Sequence, residues 1–289
     1  MSGSRQSASV RVPGTTSNCG AGIDTLGLAL NLYNRVTLSR LPSVSAQPER
    51  AADARALELV KGSAERFFAA AGCVPFGFQY RVEGEIPTAR GLGSSATLIT
   101  GVLAGLNAMS DAGLSRQTLV ELATATEGHP DNVSAALLGG FTISRCDPGT
   151  GRFLNAIKVT VPATLSFVVA SPGIELVTKT ARSELPPSVP FFDAVKSINS
   201  AAYLAAVFAT GEMDKLRHAV RDFMHEPYRL PKIPGARAAI AAGIEAGAAT
   251  GWLSGSGSSV LCVCGQPEAE RVAASMCAAF WRESVPCEA

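Results

Sequence analysis

No stretch of this 289-residue chain approaches the roughly 20 consecutive apolar residues that a membrane-crossing helix needs, although 47% of its residues are apolar. The first segment, MSGSRQSASV, also lacks an apolar core of signal-peptide length. Charge of neither sign is in excess: 25 basic against 24 acidic residues leave a net charge of +1. That balance calls for neither nucleic acid nor an anionic membrane as partner, so any anion site must be local. Histidine is scarce, at three residues. His218 and His225 fall in segments that read as helical surface, which leaves no histidine-based metal triad. The seven cysteines are odd in number and scattered through apolar segments, which fits reduced thiols better than a disulfide framework. Cys262 and Cys264 would share a strand face, but no second Cys or His pair completes a zinc set. No internal repeat is visible, and no low-complexity tract beyond Ala-rich helices. The expectation is a soluble, cytoplasmic protein long enough for about two domains.

What the chain does have is a loop suited to phosphate, Pro87–Thr97, with the sequence PTARGLGSSAT. Upstream, Phe76, Phe78, Tyr80 and Val82 alternate with other residues at period two, predicting a half-buried strand. Downstream, the apolar run from Ala96 to Met109 predicts a helix. Gly91, Gly93 and Ser94 let the main chain turn and bring its N–H groups near an anion, and the first helical turn aims unpaired amides at the same spot. Ser95 adds a hydroxyl that can reach an oxygen or a metal ion. The loop is neither the Walker pattern, having no lysine before its serines, nor the protein-kinase glycine loop. Taken alone it could also be a Gly-Ser turn capping an ordinary helix.

Other clusters carry chemistry-bearing side chains. In EGHPDN, Glu127 ends one predicted helix (Ser115–Glu127, with Ser115 as N-cap), and Asp131 and Asn132 open the next element beside His129. Glu127 could complete the oxygen shell of a magnesium ion with Ser95, phosphate and water; an exposed helix-end Glu followed by an Asx turn is the plainer reading. In the loop PGTTSNCGAGID, Asn18 and Asp24 can converge on a small polar ligand across glycines, although turn chemistry alone explains many such loops. Thr178, Arg182 and Arg229 are candidates for holding a carboxylate, which guanidinium forks bind bidentately. Singly, each arginine is also an ordinary surface residue. Ser254–Ser258, SGSGS, repeats the small-residue theme and could be a hairpin turn.

The remaining pattern predicts strands at Ser9–Val12, Arg35–Ser39, 139–144 and Leu165–Ala170, and a helix from Ala54 ended by Gly72. Further helices are expected near Phe192–Ala209, Met213–Met224, Gly235–Ala248 and Glu268–Trp281. The first domain should span 1–155 and the second 156–289, the latter a small α+β sandwich.

In order along the chain, the N-terminal strand and loop, GLGSSA and the late SG-x-G turn resemble the GHMP kinase superfamily. NCGAGIDTLGLAL, EGHPDN followed by GGF, TKTAR and EPYRLPKIPG narrow the resemblance to its homoserine kinase family. The resemblance implies an α+β fold with an N-terminal ribosomal-protein-S5-domain-2-like domain and a C-terminal ferredoxin-like α/β sandwich, the GHMP kinase fold. It implies ATP and Mg2+ as cofactors, L-homoserine as the second substrate, and a homodimer. Carried over by position, Pro87, Arg90, Gly91, Leu92, Gly93, Ser94, Ser95, Ala96 and Thr97 would embrace the ATP phosphates, and Ser95 and Glu127 would hold the metal. Asn18, Asp24, His129, Asp131, Asn132, Thr178, Arg182 and Arg229 would surround homoserine, with Asn132, Asp131 and Arg182 catalytic: Asn132 by the attacking hydroxyl, Asp131 as an orienter. Thr97 departs from the small Ala or Gly common there, and Ser258 from the usual proline, implying a looser loop. The competing readings are another GHMP small-molecule kinase and an inactive nucleotide-binding regulator on the same scaffold.

Overall fold

The computed structural model of the chain describes residues 5–176 and 178–289, without the side chains of 178–180. Among these residues the strands form two sheets. The first is built on β2 (Leu26–Leu41), which pairs antiparallel with β1 (Ser7–Ser17), with β4 (Gly77–Gly84) and, near its start, with β5 (Phe141–Cys146). β3 (Ala46–Pro48) adds in parallel outside β4, and β6 (Phe153–Val159) closes the other side. In the second sheet, β7 (Leu165–Pro172) lies between β9 (Val260–Gly265) and the short β10 (Cys287–Glu288), and β8 (Thr250–Leu253) pairs outside β9.

The first sheet packs on α1 (Leu57–Ala71), α2 (Ser94–Ser110) and α3 (Arg116–Glu127). Period-two residues of the strands, Val36, Leu38, Phe78 and Tyr80, meet helix-period residues Val60, Phe67, Ile99, Val102, Leu103 and Leu106 in one core. Gly72 ends α1 in the left-handed conformation (φ 60), and Ser115 caps α3 by accepting from the Thr118 amide. Both ends follow the sequence reading. The second sheet is covered by α8 (Ala236–Glu245) and α9 (Ala269–Arg282).

A third cluster joins the halves. Leu26, Leu28, Leu92 and Phe141 from the first half pack with Leu204, Val207 and Phe208 of α6 (Phe191–Thr210) and with Trp252, Leu261 and Val263. Phe141 and Phe208 stack with centroids 4.3 Å apart. The Trp252 indole donates to Thr16 Oγ1 (3.0 Å), so the two sheets share a buried polar tie as well.

Several stretches differ from the sequence reading: β2 begins at Leu26 rather than near Arg35, and β6 was not anticipated. PGTTS is not loop: β1 continues to Ser17, because Thr15–Ser17 pair with Gly27–Ala29 after an irregularity at Pro13–Thr15 that absorbs the proline. Met213–Met224 is not one helix. Only Met213–His218 forms a 3-10 turn, and the chain then turns about Asp222, whose carboxylate accepts the amides of Met224, His225 and Glu226.

Candidate active site

The cleft lies where α2 begins, between the two sheets, and encloses a cavity of about 310 Å3. Gly93 stands at the N-cap position of α2 with φ 69, and no side chain caps the helix. Thr97 N is the first amide to bond back, to Gly93 O (2.9 Å), so the amides just before it are open at the positive end of the helix dipole. No acidic residue sits in that first turn. A side chain at position 93 would place its Cβ 2.0 Å from Thr15 Oγ1. The loop therefore lies directly on β1.

The second half buttresses this loop. Ser254 Oγ donates to Gly91 O (2.7 Å) and the Ser259 amide to Arg90 O (3.1 Å). The SGSGS turn is thus a brace for the Gly91–Gly93 loop rather than only a hairpin connection. Thr97, the departure from the family pattern, is fully buried; its hydroxyl donates to Ser94 O (2.8 Å) and accepts from Asn34 Nδ2 (3.1 Å).

Beside the loop, Ser95 Oγ donates to both oxygens of Glu127, at 2.5 and 2.7 Å. Burial raises the Glu127 carboxyl above its ordinary range, with the Ser95 bond working against it. A poorly hydrated carboxylate with a hydroxyl in contact is a pair of hard oxygen donors suited to Mg2+.

α4 (Asp131–Leu138) starts at the cleft floor. Asp131 is 2% exposed; its Oδ1 accepts from the Asn132 amide (2.8 Å) and from His129 Nδ1 (2.8 Å). Asn132 accepts from Thr15 Oγ1 (2.7 Å) and donates to Ser17 Oγ (2.9 Å), so both sides of its amide are fixed by β1. Burial works against charge on His129, yet the bond to Asp131 and the nearby carboxylates of Asp131, Glu127 and Asp24 carry its pKa above the ordinary value.

On the far wall, Arg182 of α5 (Thr178–Ser183) makes a two-pronged pair with Asp24, at 2.6 and 2.8 Å. Burial would raise the Asp24 pKa, but the Arg182 guanidinium outweighs it and holds it below the usual carboxylate value. Asn18 and Asp24 both adopt left-handed backbone (φ 65 and 54), a conformation that Asn and Asp tolerate best among residues with a Cβ. Asn18 accepts from the Asp24 amide (3.2 Å) and donates to Gly255 O (3.0 Å).

Arg229, at the end of α7 (Glu226–Arg229), is only 4% exposed. It donates at long range to Ala181 O (3.4 Å), Gly255 O (3.4 Å) and His225 Nδ1 (3.3 Å). Among the described residues no carboxylate forms an ion pair with it. Burial, then the Arg182 charge, lower its pKa. An interior guanidinium without a direct ion pair is costly; the more distant carboxylates of Asp24, Asp222 and Asp131 offset this only in part, and the residue lines the cleft.

Most residues singled out from the sequence meet here: Asn18, Asp24, Arg90, Gly91, Gly93, Ser94, Ser95, Glu127, His129, Asp131, Asn132, Arg182 and Arg229 all line the cavity. Pro87 and Leu92 line a neighbouring one, and Leu92 also belongs to the core joining the halves. Ala96 and Thr97 are buried in the first turn of α2 rather than in the cavity wall. The side chain of Thr178 lies outside the described residues. Asp24, His129 and Asp131 are close enough to share a cation, with ligand atoms within 4.8 Å of one another, but Arg182 already takes the first and the other two are paired.

Three residues escaped the sequence reading. Thr15 and Ser17 fix Asn132, and the only signal for them was the polar run TTSN at a strand end. His225, expected on helical surface, is fully buried between Gly20 and Arg229, because the Asp222 turn folds it inward. Its position directly before EPYR was the available clue.

The chain matches the family model described as the GHMP kinases N terminal domain over residues 58–140, and that described as GHMP kinases C terminal over 204–282. It is 40% identical over 282 residues to a homoserine kinase of Moorella thermoacetica, covering 96% of this chain and 94% of that one. It is 36% identical over 288 residues to a homoserine kinase of Prochlorococcus marinus, covering 97% and 91%. Among solved structures, the homoserine kinase of Cytophaga hutchinsonii superposes with a TM-score of 0.88 at 26% identity, over 100% of this chain and 95% of that chain. The phosphomevalonate kinase of Streptococcus pneumoniae shares the fold, with a TM-score of 0.70 at 13% identity, over 98% of each chain.

Proposed function

Since the chain belongs to the homoserine kinase family of the GHMP kinases, we propose that its Gly93 loop holds the triphosphate of ATP while Asp24, Arg182 and Arg229 hold L-homoserine. The activity is that of an ATP-dependent small-molecule kinase. The γ-phosphoryl passes to the side-chain hydroxyl of homoserine: a bond forms from that oxygen to phosphorus, the bond from phosphorus to the β,γ-bridging oxygen breaks, and the hydroxyl proton leaves through phosphoryl oxygen to solvent. O-phospho-L-homoserine and ADP result, the former a precursor for threonine synthesis.

The observation that carries the acceptor assignment is Arg229, a buried cation lacking a carboxylate partner. A zwitterion supplies one. Its ammonium group matches Asp24 and its carboxylate matches Arg229 and Arg182, so the Asp24–Arg182 pair opens to admit a ligand of the same charge pattern. Asn132, fixed on both sides by β1, would orient the hydroxyl, and Asp131 would hold Asn132 and His129 in place. Phosphoryl transfer proceeds through a loose transition state in which alignment and charge neutralisation dominate, so a strong base is not needed. Arg182 would help to stabilise the migrating group once its pair with Asp24 opens. Ser95 and Glu127 would hold Mg2+, which when bound neutralises charge on the phosphate oxygens. The same reading puts the enzyme in the cytoplasm with ATP, its seven cysteines free, and as a homodimer by likeness to the family.

Arg229→Ala tests the assignment. The KM for homoserine should rise roughly 10- to 100-fold, the worth of a charged hydrogen-bond pair, with the KM for ATP little changed. A rise confined to ATP would show that the arginine serves the nucleotide instead.

A further inference from the structure

The geometry points to His225 as a positioning residue that ties the homoserine-side arginine to the loop carrying Asn18 and Asp24. His225 Nε2 lies 2.7 Å from Gly20 O. A carbonyl only accepts, so Nε2 carries the proton, and in the neutral ring Nδ1 is left as an acceptor. Arg229 Nη1 sits 3.3 Å from that Nδ1. Burial of this fully enclosed ring lowers its pKa, which keeps the neutral form that this pairing requires.

The surroundings leave the ring little other task. Asp222 Oδ2 is 3.6 Å from Nε2, but the Asp222 carboxylate is occupied by three amides and by the Ser197 hydroxyl (3.2 Å). It anchors the turn, while the imidazole reaches across to the opposite domain half. Arg229's other two bonds run to carbonyls at 3.4 Å. His225 supplies its only side-chain partner among the described residues, and Nη2 has none there. With Nε and Nη1 engaged, the guanidinium that lines the cleft is held in one orientation. Gly20 belongs to the loop whose ends carry Asn18 and Asp24, so one ring sets the spacing between the cationic and anionic sides of the zwitterion pocket.

This inference rests on the homoserine reading above, and two replacements separate its parts. His225→Gln keeps a donor near the Nε2 position for Gly20 O but loses the acceptor at Nδ1. His225→Asn keeps an acceptor near Nδ1 and loses the Gly20 bond. With both KM values and Tm measured, the Gln variant should show a homoserine KM raised about 10-fold, with ATP KM and Tm near wild type. The Asn variant should lose Tm while its homoserine KM stays within about threefold of wild type. A homoserine KM that simply follows Tm through both variants, or that is unmoved in the Gln variant, overturns the positioning role alone. A wild-type enzyme silent toward homoserine overturns the substrate reading and this inference with it.

Discussion

Arg229 and Glu127 are opposite charges with a shared burial cost, and among the described residues neither forms an ion pair. Burial pushes the Glu127 pKa up, so its ionised form gains little from the folded protein alone. Glu127→Gln should therefore leave the Tm of the ligand-free protein unchanged or higher. Turnover should fall on the order of 100-fold, and the rise in Tm on adding Mg2+ with an ATP analogue should shrink. Near-normal turnover at saturating magnesium would remove Glu127 from the metal site. His129 behaves in the reverse sense. Its folded pKa lies above the ordinary value of about 6.5, so its charged pairing with Asp131 stabilises fully below that pH and fades as pH rises through the folded pKa. Compared with His129→Gln, the wild type should hold its largest Tm advantage near pH 6 and a smaller one by about pH 8.5. An advantage that grows with pH would contradict this charge state.

At the scale of elements, the β4–loop–α2 unit is where chain and chemistry agree most closely. Period-two apolar residues, a glycine loop and an apolar helix were all legible, because each depends on neighbours close in sequence. Position 93 tests the fit. Gly93→Ala forces a Cβ toward Thr15 Oγ1 at 2.0 Å and asks an L side chain to hold φ 69, which costs about 1–2 kcal/mol before any clash. If the loop holds the ATP phosphates as proposed, the kcat/KM for ATP should drop about 100-fold or more as the loop is displaced. Gly62→Ala, in α1 with nothing within 4 Å of the added methyl, should instead stabilise by about 0.5–1 kcal/mol and leave kinetics alone. Equal activity in both variants would mean that the close approach at Gly93 has no catalytic meaning. Elements whose form depends on distant partners were less legible. β1 runs on through PGTTS only because β2 returns beside it, and 213–224 breaks up because Asp222 draws three amides onto one carboxylate.

For the molecule as a whole, the cleft exists because two sheets share a core. Phe141 on Phe208, Trp252 on Thr16 and Ser254 on Gly91 hold the distal half against the Gly91–Gly93 loop, so the start of α2 and the arginines proposed to hold the zwitterion keep a fixed separation. The residue types of the site could be read from local motifs, but their convergence could not. Arg229 lies 136 positions beyond Gly93 (229 − 93), and nothing in its neighbourhood announces that it is buried. His225 was misplaced although it stands directly before EPYR, because its burial depends on the Asp222 turn and on Gly20, 205 positions away. The central claim is that this fixed cleft joins a nucleotide triphosphate to a small zwitterion bearing a hydroxyl. The most direct measurement is ADP formation with Mg-ATP and each of L-homoserine, L-serine, L-threonine and mevalonate at matched concentrations. Homoserine should give the highest kcat/KM, and mevalonate, which has no ammonium group for Asp24, little turnover. Preference for mevalonate, or no ADP with any of the four, would contradict that claim.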